Sequence, residues 1–344
     1  MFFFNNAIYY FGAFFLGWGL GANDSANVFG TAVSSQMVRY RIAVLCTAFF
    51  VILGAVIQGT KGIETIAFSL TEKATPSISS VSLSNSLESN LDKKQIKKKL
   101  ALEKAMIISF AAAFAVIIMT LLKLPVSTSQ AIVGAIIGFG LMQSDINISG
   151  LEKILLCWIG TPIGGMVFTY IFFYLFKAIF NLYKPSIFQF DALIKILLII
   201  TGCCGAYALG ANNVANVTAV FVKAGTLSVN QAAWFGGFAI AFGVISYSKP
   251  VMLTVGKGIA QLDSFTAFIT VLSLSVTVYI YALIGVPVST TQAIVGAVLG
   301  IGLIKGTQTI HFTTLKKIGI GWISTPILAA IMAVLAFFMS SFNT

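Results

Sequence analysis

Eight long apolar runs, at residues 7–20, 42–60, 104–122, 154–176, 192–209, 231–247, 264–284 and 318–338, confine this chain to a lipid bilayer. Crossing the hydrocarbon takes about 20 apolar residues wound as a helix. A helix satisfies its own backbone polar groups, as lipid requires. Two shorter apolar pieces, 131–142 and 293–304, are too short for a full crossing and read as re-entrant. Of the 344 residues 58% are hydrophobic and only 9% charged, so nothing competes with an all-α integral membrane protein. About 10–12 membrane segments are expected, which makes it a multi-pass protein of the cell membrane.

The second constraint is repetition. Pro125-Val126-Ser127-Thr128-Ser129-Gln130-Ala131-Ile132-Val133-Gly134-Ala135 returns as Pro287-Val288-Ser289-Thr290-Thr291-Gln292-Ala293-Ile294-Val295-Gly296-Ala297. Gly17-Trp18-Gly19-Leu20-Gly21-Ala22-Asn23-Asp24-Ser25-Ala26-Asn27 is echoed by Gly210-Ala211-Asn212-Asn213-Val214-Ala215-Asn216, and Trp158-Ile159-Gly160-Thr161-Pro162 by Trp322-Ile323-Ser324-Thr325-Pro326. Three landmarks in the same order describe an internal duplication. The first repeat is 1–176, with a hydrophilic loop at 71–104; a linker covers 177–192, and the second repeat is 193–344.

Each serine stretch places hydroxyl residues at the head of a short helix. Ser127 with Gln130, and Ser289 with Gln292, fit the capping box, in which the serine takes a free amide of the first turn. A helix start also aims unpaired N–H groups and partial positive charge outward, which draws anions. Two such starts facing each other would cradle a tetrahedral oxyanion, as broken helices do in transporters. The hydroxyls are those of Ser127, Thr128, Ser129, Ser289, Thr290 and Thr291.

The glycine-rich stretch around Asp24 reads as a break in a membrane helix, and so does its echo at 210–216; irregular backbone at such depth must line a cavity. Every other acidic residue falls at a loop or span edge, which leaves Asp24 as the carboxylate at depth. A buried ionisable residue there marks an ion or substrate path. A helix cap is the plainer role, yet a serine would cap without that cost. Asn23, Asn27, Asn212 and Asn216 add carboxamides, and Asn23 and Asn27 share a helix face. Phosphate near neutral pH keeps a proton and donates a hydrogen bond to a carboxylate such as Asp24, whereas sulfate cannot. Asp24 also suits a hard cation such as sodium, or a proton.

These motifs resemble the inorganic phosphate transporter (Pit) family, whose halves each carry Gly-Ala-Asn-Asp-x-Ala-Asn and then Pro-Val-Ser-Thr-[Ser/Thr]. The resemblance covers both halves. It implies a duplicated inverted repeat with broken helices and two re-entrant hairpins, a homodimer, and symport of phosphate with sodium, or else protons. It implies phosphate contacts at the two hydroxyl triplets, Asp24 and Asn213, and cation contacts at Asn23, Asp24, Asn27, Asn212 and Asn216. Asn213 stands where the family has a second aspartate. Related sulfate permeases share Asn-Asn there, so sulfate is the alternative substrate.

Other classes fit poorly. The net charge of +11 comes mostly from loop lysines and suits anionic lipid headgroups; without stacking aromatics it offers nucleic acid nothing. Cys46, Cys157, Cys203 and Cys204 lie in apolar stretches without metal-ligand spacing and read as packing residues. No organic cofactor or transition metal is implied. A membrane enzyme would need a nucleophile with its base, or paired acids, at depth, and a channel would not concentrate its solute. Met1–Asn6 lacks the basic region of a secretory signal. His311, beside a loop, reads as a surface residue.

Overall fold

The computed structural model describes residues 7–69, 87–122, 126–143, 148–258, 262–306 and 312–341. Met1–Asn6, Pro125, His311 and residues 71–86 of the hydrophilic loop lie outside them. The described residues form helices α1 (Ala7–Ser34), α2 (Tyr40–Gln58), α3 (Thr60–Ser69), α4 (Leu87–Leu121), α5 (Thr128–Gln143) and α6 (Ile148–Tyr183). The chain continues with α7 (Ile187–Lys223), α8 (Val229–Gly258), α9 (Ser264–Ile284), α10 (Thr290–Lys305) and α11 (Phe312–Ser341). Among the described residues there is no strand.

Seven of these helices, α2, α4, α6, α7, α8, α9 and α11, are long and apolar enough to cross a membrane. Helix α1 is 28 residues long and carries the first polar landmark. Helices α5 and α10 have 16 residues each, about 24 Å of rise against a hydrocarbon core of about 30 Å. They follow α4 and α9 in two hairpins. Apolar residues face outward, as Ile163 and Ile171 on α6 and Ile323, Ile327 and Ile331 on α11 do, while Asn23, Asp24, Asn212 and both hydroxyl triplets are buried. That distribution belongs to a bundle dissolved in lipid.

Helix α4 starts inside the segment expected to be loop, so the lysine-rich 93–99 lies on its first turns. A larger correction concerns the breaks expected at 17–27 and 210–216. Both segments are continuous α-helix, within α1 and α7. Their glycines meet other backbones instead of bending their own. A Cβ on Gly21 would lie 1.9 Å from the Ile240 carbonyl oxygen, and one on Gly210 would lie 2.0 Å from that of Val51. Gly54 meets the carbonyl of Tyr207, and Gly243 that of Trp18, in the same way. Small residues let helices approach where the hydrophobic effect offers no drive between them. The helix is kept because its neighbour takes the space a side chain would need.

Packing occurs in matched pairs. Helix α1 packs on α8, and α7 on α2 and α3; α1 on α4, and α7 on α9; α5 on α11, and α10 on α6. The Trp-x-x-Thr-Pro motifs explain the last pair. Gly134 of α5 abuts Pro326 of α11, and Gly296 of α10 abuts Pro162 of α6. Helices α1 and α7 lie side by side and antiparallel: the Tyr10 ring lies tilted against Phe221, Gly17 meets Val217, Val28 meets Gly205 and Phe29 meets Gly202. This register sets the two asparagine-rich landmarks side by side.

Candidate functional site

The crossing of α1 and α7 and the two helix starts converge on one buried polar cluster. Ser127 precedes α5, and its Oγ accepts from the Gln130 N–H at 3.3 Å; Ser289 caps α10, and its Oγ accepts from the Gln292 N–H at 3.2 Å. Both serines therefore cap, as their spacing predicts. The reciprocal half of each box is not made: the buried Oε1 atoms of Gln130 and Gln292 have no protein hydrogen-bond partner. Capping does not use up the serine stretch.

Helix α1 reaches both hairpins. Thr128 Oγ1 donates to Asp24 Oδ2 at 3.3 Å. Asn27 Nδ2 donates to Thr290 Oγ1 at 3.2 Å and to Thr291 Oγ1 at 3.1 Å. Thr291 Oγ1 in turn donates to the Val126 carbonyl at 2.9 Å. Ser127 and Ser129 share a hydrogen bond at 3.1 Å. The first-repeat triplet, the second-repeat triplet and the first polar landmark thus form one network.

Helix α7 supplies the other wall. Asn216 Nδ2 donates to Asn213 Oδ1 at 2.9 Å, while Asn213 Nδ2 and Asn216 Oδ1 have no protein partner. Asp24 Oδ1 is also unpartnered, at 2% residue exposure. The cluster combines a free carboxylate oxygen, free carboxamide donors and acceptors, and hydroxyls that donate or accept. Such a set suits an anion and a cation together. A buried polar atom without a partner costs about 1–3 kcal/mol, which favours ligands that satisfy it.

Asn23 and Asn212 differ from the rest. Asn23 Nδ2 donates to Thr120 Oγ1 at 3.2 Å and its Oδ1 accepts from Val126 N at 3.5 Å. Asn212 Nδ2 donates to the Val286 carbonyl at 3.2 Å and its Oδ1 accepts from Val288 N at 2.9 Å. Their carboxamides hold hairpin backbone. Sequence reading misses Thr120, and it takes Gln130 and Gln292 for cap partners alone; their place in a repeated polar stretch is the available signal. Among the described residues no group of three or more His, Cys, Asp or Glu is placed to hold a metal.

The profile of the phosphate transporter family matches residues 20–333. The chain belongs to the phosphate transporter family. A relative in Methanocaldococcus jannaschii, provisionally named a phosphate permease, is 32% identical over 321 residues, covering 93% of each chain. The sulfate permease of Bacillus subtilis is 27% identical over 317 residues, covering 92% of this chain and 82% of its own. The solved structure of a sodium-dependent phosphate transporter matches 98% of this chain and 99% of its own with a TM-score of 0.82 at 24% identity, a likeness of fold. As a member of the phosphate transporter family the chain is a multi-pass membrane transporter and not an enzyme.

Proposed function

We propose that this transporter carries inorganic phosphate by cation-coupled symport, with sodium as the favoured coupling ion and protons as the other. The observation that carries the reading is the unpartnered Asp24 Oδ1, buried where both hydroxyl triplets meet. Hydrogenphosphate and dihydrogenphosphate donate a hydrogen bond to that oxygen and accept from Thr290 and the serines, while Thr128 and Thr291 do so once their single protons turn from Asp24 Oδ2 and the Val126 carbonyl to the anion. The two helix starts stabilise the anion's remaining charge. Asp24, Asn27 and Asn216 supply oxygen for a sodium ion, and Asn213 Nδ2 adds a donor for the anion.

The duplication has a mechanical meaning in this reading. Repeats 1–176 and 193–344, joined by 177–192, are inverted relative to each other, a reading supported by the antiparallel run of α1 and α7. Each hairpin then guards the site from a different side of the membrane, the arrangement of many alternating-access carriers. The family resemblance adds a homodimer, which cross-linking in native membranes would detect.

Sulfate is the second reading, favoured by the sulfate permease among the relatives and by Asn213, which replaces an acceptor with a donor. Radiolabelled phosphate uptake into proteoliposomes, with and without an inward sodium gradient and with excess sulfate, separates the two. Sodium-driven phosphate accumulation that sulfate leaves intact supports the proposal. Strong sulfate competition moves the assignment to sulfate, and uptake driven only by a proton gradient moves the coupling to protons.

A further inference from the structure

The hairpins need something to hold their extended turns. Residues 286–289 are non-helical and lie against α7, with Val286 and Val288 fully buried. Gly285, at φ +81°, ends α9 in the left-handed conformation, and its N–H is taken by Tyr281 and Ala282 carbonyls. Beyond it, the Val286 carbonyl and the Val288 N–H point to the side and have no helix ladder to join. Asn212 meets both: one carboxamide donates to the first and accepts from the second. This two-point contact is what a neighbouring β-strand would offer, supplied by a single side chain. It sits one residue before the cap Ser289, so it sets where α10 begins.

We infer that Asn212 is a positioning residue that clamps the turn Val286–Val288 and thereby aims Ser289, Thr290 and Thr291 into the site. Asn23 makes half of this contact in the first repeat, its Oδ1 taking the Val126 N–H at 3.5 Å while its Nδ2 donates to the Thr120 hydroxyl. In this reading Asn212 does not serve the coupling cation, because both polar ends of its carboxamide are engaged by the turn backbone. A free Asn212 Oδ1 would leave the buried Val288 N–H orphaned, a costly exchange. Cation ligation falls to Asp24, whose Oδ1 is unengaged. This division of labour rests on the symport reading for its cation clause and on the fold alone for its clamp clause.

The test pairs a labelling arm that needs no substrate with an uptake arm. Val288→Cys places a thiol on the clamped turn, and its reaction with a membrane-permeant maleimide is counted above that of the four native cysteines. Asn212→Asp is isosteric, keeps an acceptor for Val288 N–H and loses the donor to Val286; Asn212→Ala loses both. The clamp predicts about tenfold faster labelling of the introduced thiol when either variant is combined with Val288→Cys, from the loss of hydrogen bonds. It also predicts phosphate uptake whose maximal rate falls while half-saturating sodium stays within about twofold, as loss of one such bond away from the cation requires. If Asn212 were a cation ligand, the aspartate would instead lower half-saturating sodium and leave the introduced thiol as protected as before; that result overturns the clamp. Should the alanine variant fail to fold, the aspartate variant decides alone. Absence of phosphate uptake by the parent protein would count against the symport reading, while the labelling arm still decides the clamp.

Discussion

The hydroxyl of Thr291 donates to the main-chain carbonyl of Val126 at 2.9 Å, so the two hairpins, one from each repeat, touch directly. Their contact is buried and tied to α1 through Asn27. Whatever displaces one hairpin is therefore felt by the other, a short physical link between the two sides of the site.

Asp24→Asn is expected to abolish coupled uptake while leaving folding and insertion largely intact. The asparagine keeps the shape and an acceptor for Thr128, and loses the charge. Proteoliposome accumulation at background level, from protein that still elutes as a single species, is the expected result. Near-normal accumulation would remove Asp24 from the coupling step.

Ser127→Ala and Ser289→Ala test capping against binding. Loss of the cap alone costs about 1 kcal/mol of stability. Loss of a hydrogen bond to a charged ligand costs about 1.5–3 kcal/mol, about 10- to 150-fold in apparent phosphate affinity. Half-saturation in uptake, set beside melting temperature in detergent, tells the two apart. A lower melting temperature with unchanged affinity would mean that these serines only cap.

Gly243→Ala forces a Cβ to within 2.0 Å of the Trp18 carbonyl oxygen, so α1 and α8 must separate. Overpacking of this kind costs about 1–3 kcal/mol. Gly319→Ala, where a Cβ would meet nothing within 4 Å, is the control; there the helix gains about 0.5–1 kcal/mol. Opposite shifts in thermal melting of the purified protein are expected.

At the polar start of α9, burial pushes the Asp263 carboxyl up, but the Lys305 ammonium and the Thr266 N–H, accepted at 2.8 Å, together hold it below its ordinary value. A depressed acid stabilises the fold fully above its unfolded value and loses that contribution as pH falls through its lowered one. The side chain is 53% exposed, so the ion pair contributes little and the cap most. Melting temperature should fall from about pH 5 towards pH 3 more steeply in the parent than in Asp263→Asn. Parallel curves would show that another group governs acid stability.

The sequence makes some of this legible and hides the rest for physical reasons. The serine stretches are readable because their spacing encodes a cap, and the cap is made. Asp24 is readable because a carboxylate between apolar runs has few places to go. The glycines around it mislead. Gly17, Gly21 and Gly210 have one composition whether they loosen a helix or admit another backbone, and the choice depends on whether a partner such as Ile240 or Val51 arrives. Asn23 and Asn212 read as cation contacts in the sequence and meet hairpin backbone in the structure, because a buried carboxamide binds ions and backbone with the same atoms. The places of Val126, Val286 and Val288 beside them cannot be read from the sequence.

The antiparallel crossing of α1 and α7 brings the turns before α5 and α10 together over one buried cluster. On the symport reading no arrow is built into the molecule, because a carrier that only exchanges one gradient for another runs both ways. The vesicle that fills under one gradient should empty when that gradient is reversed, and the net direction of traffic belongs to the solutions on either side.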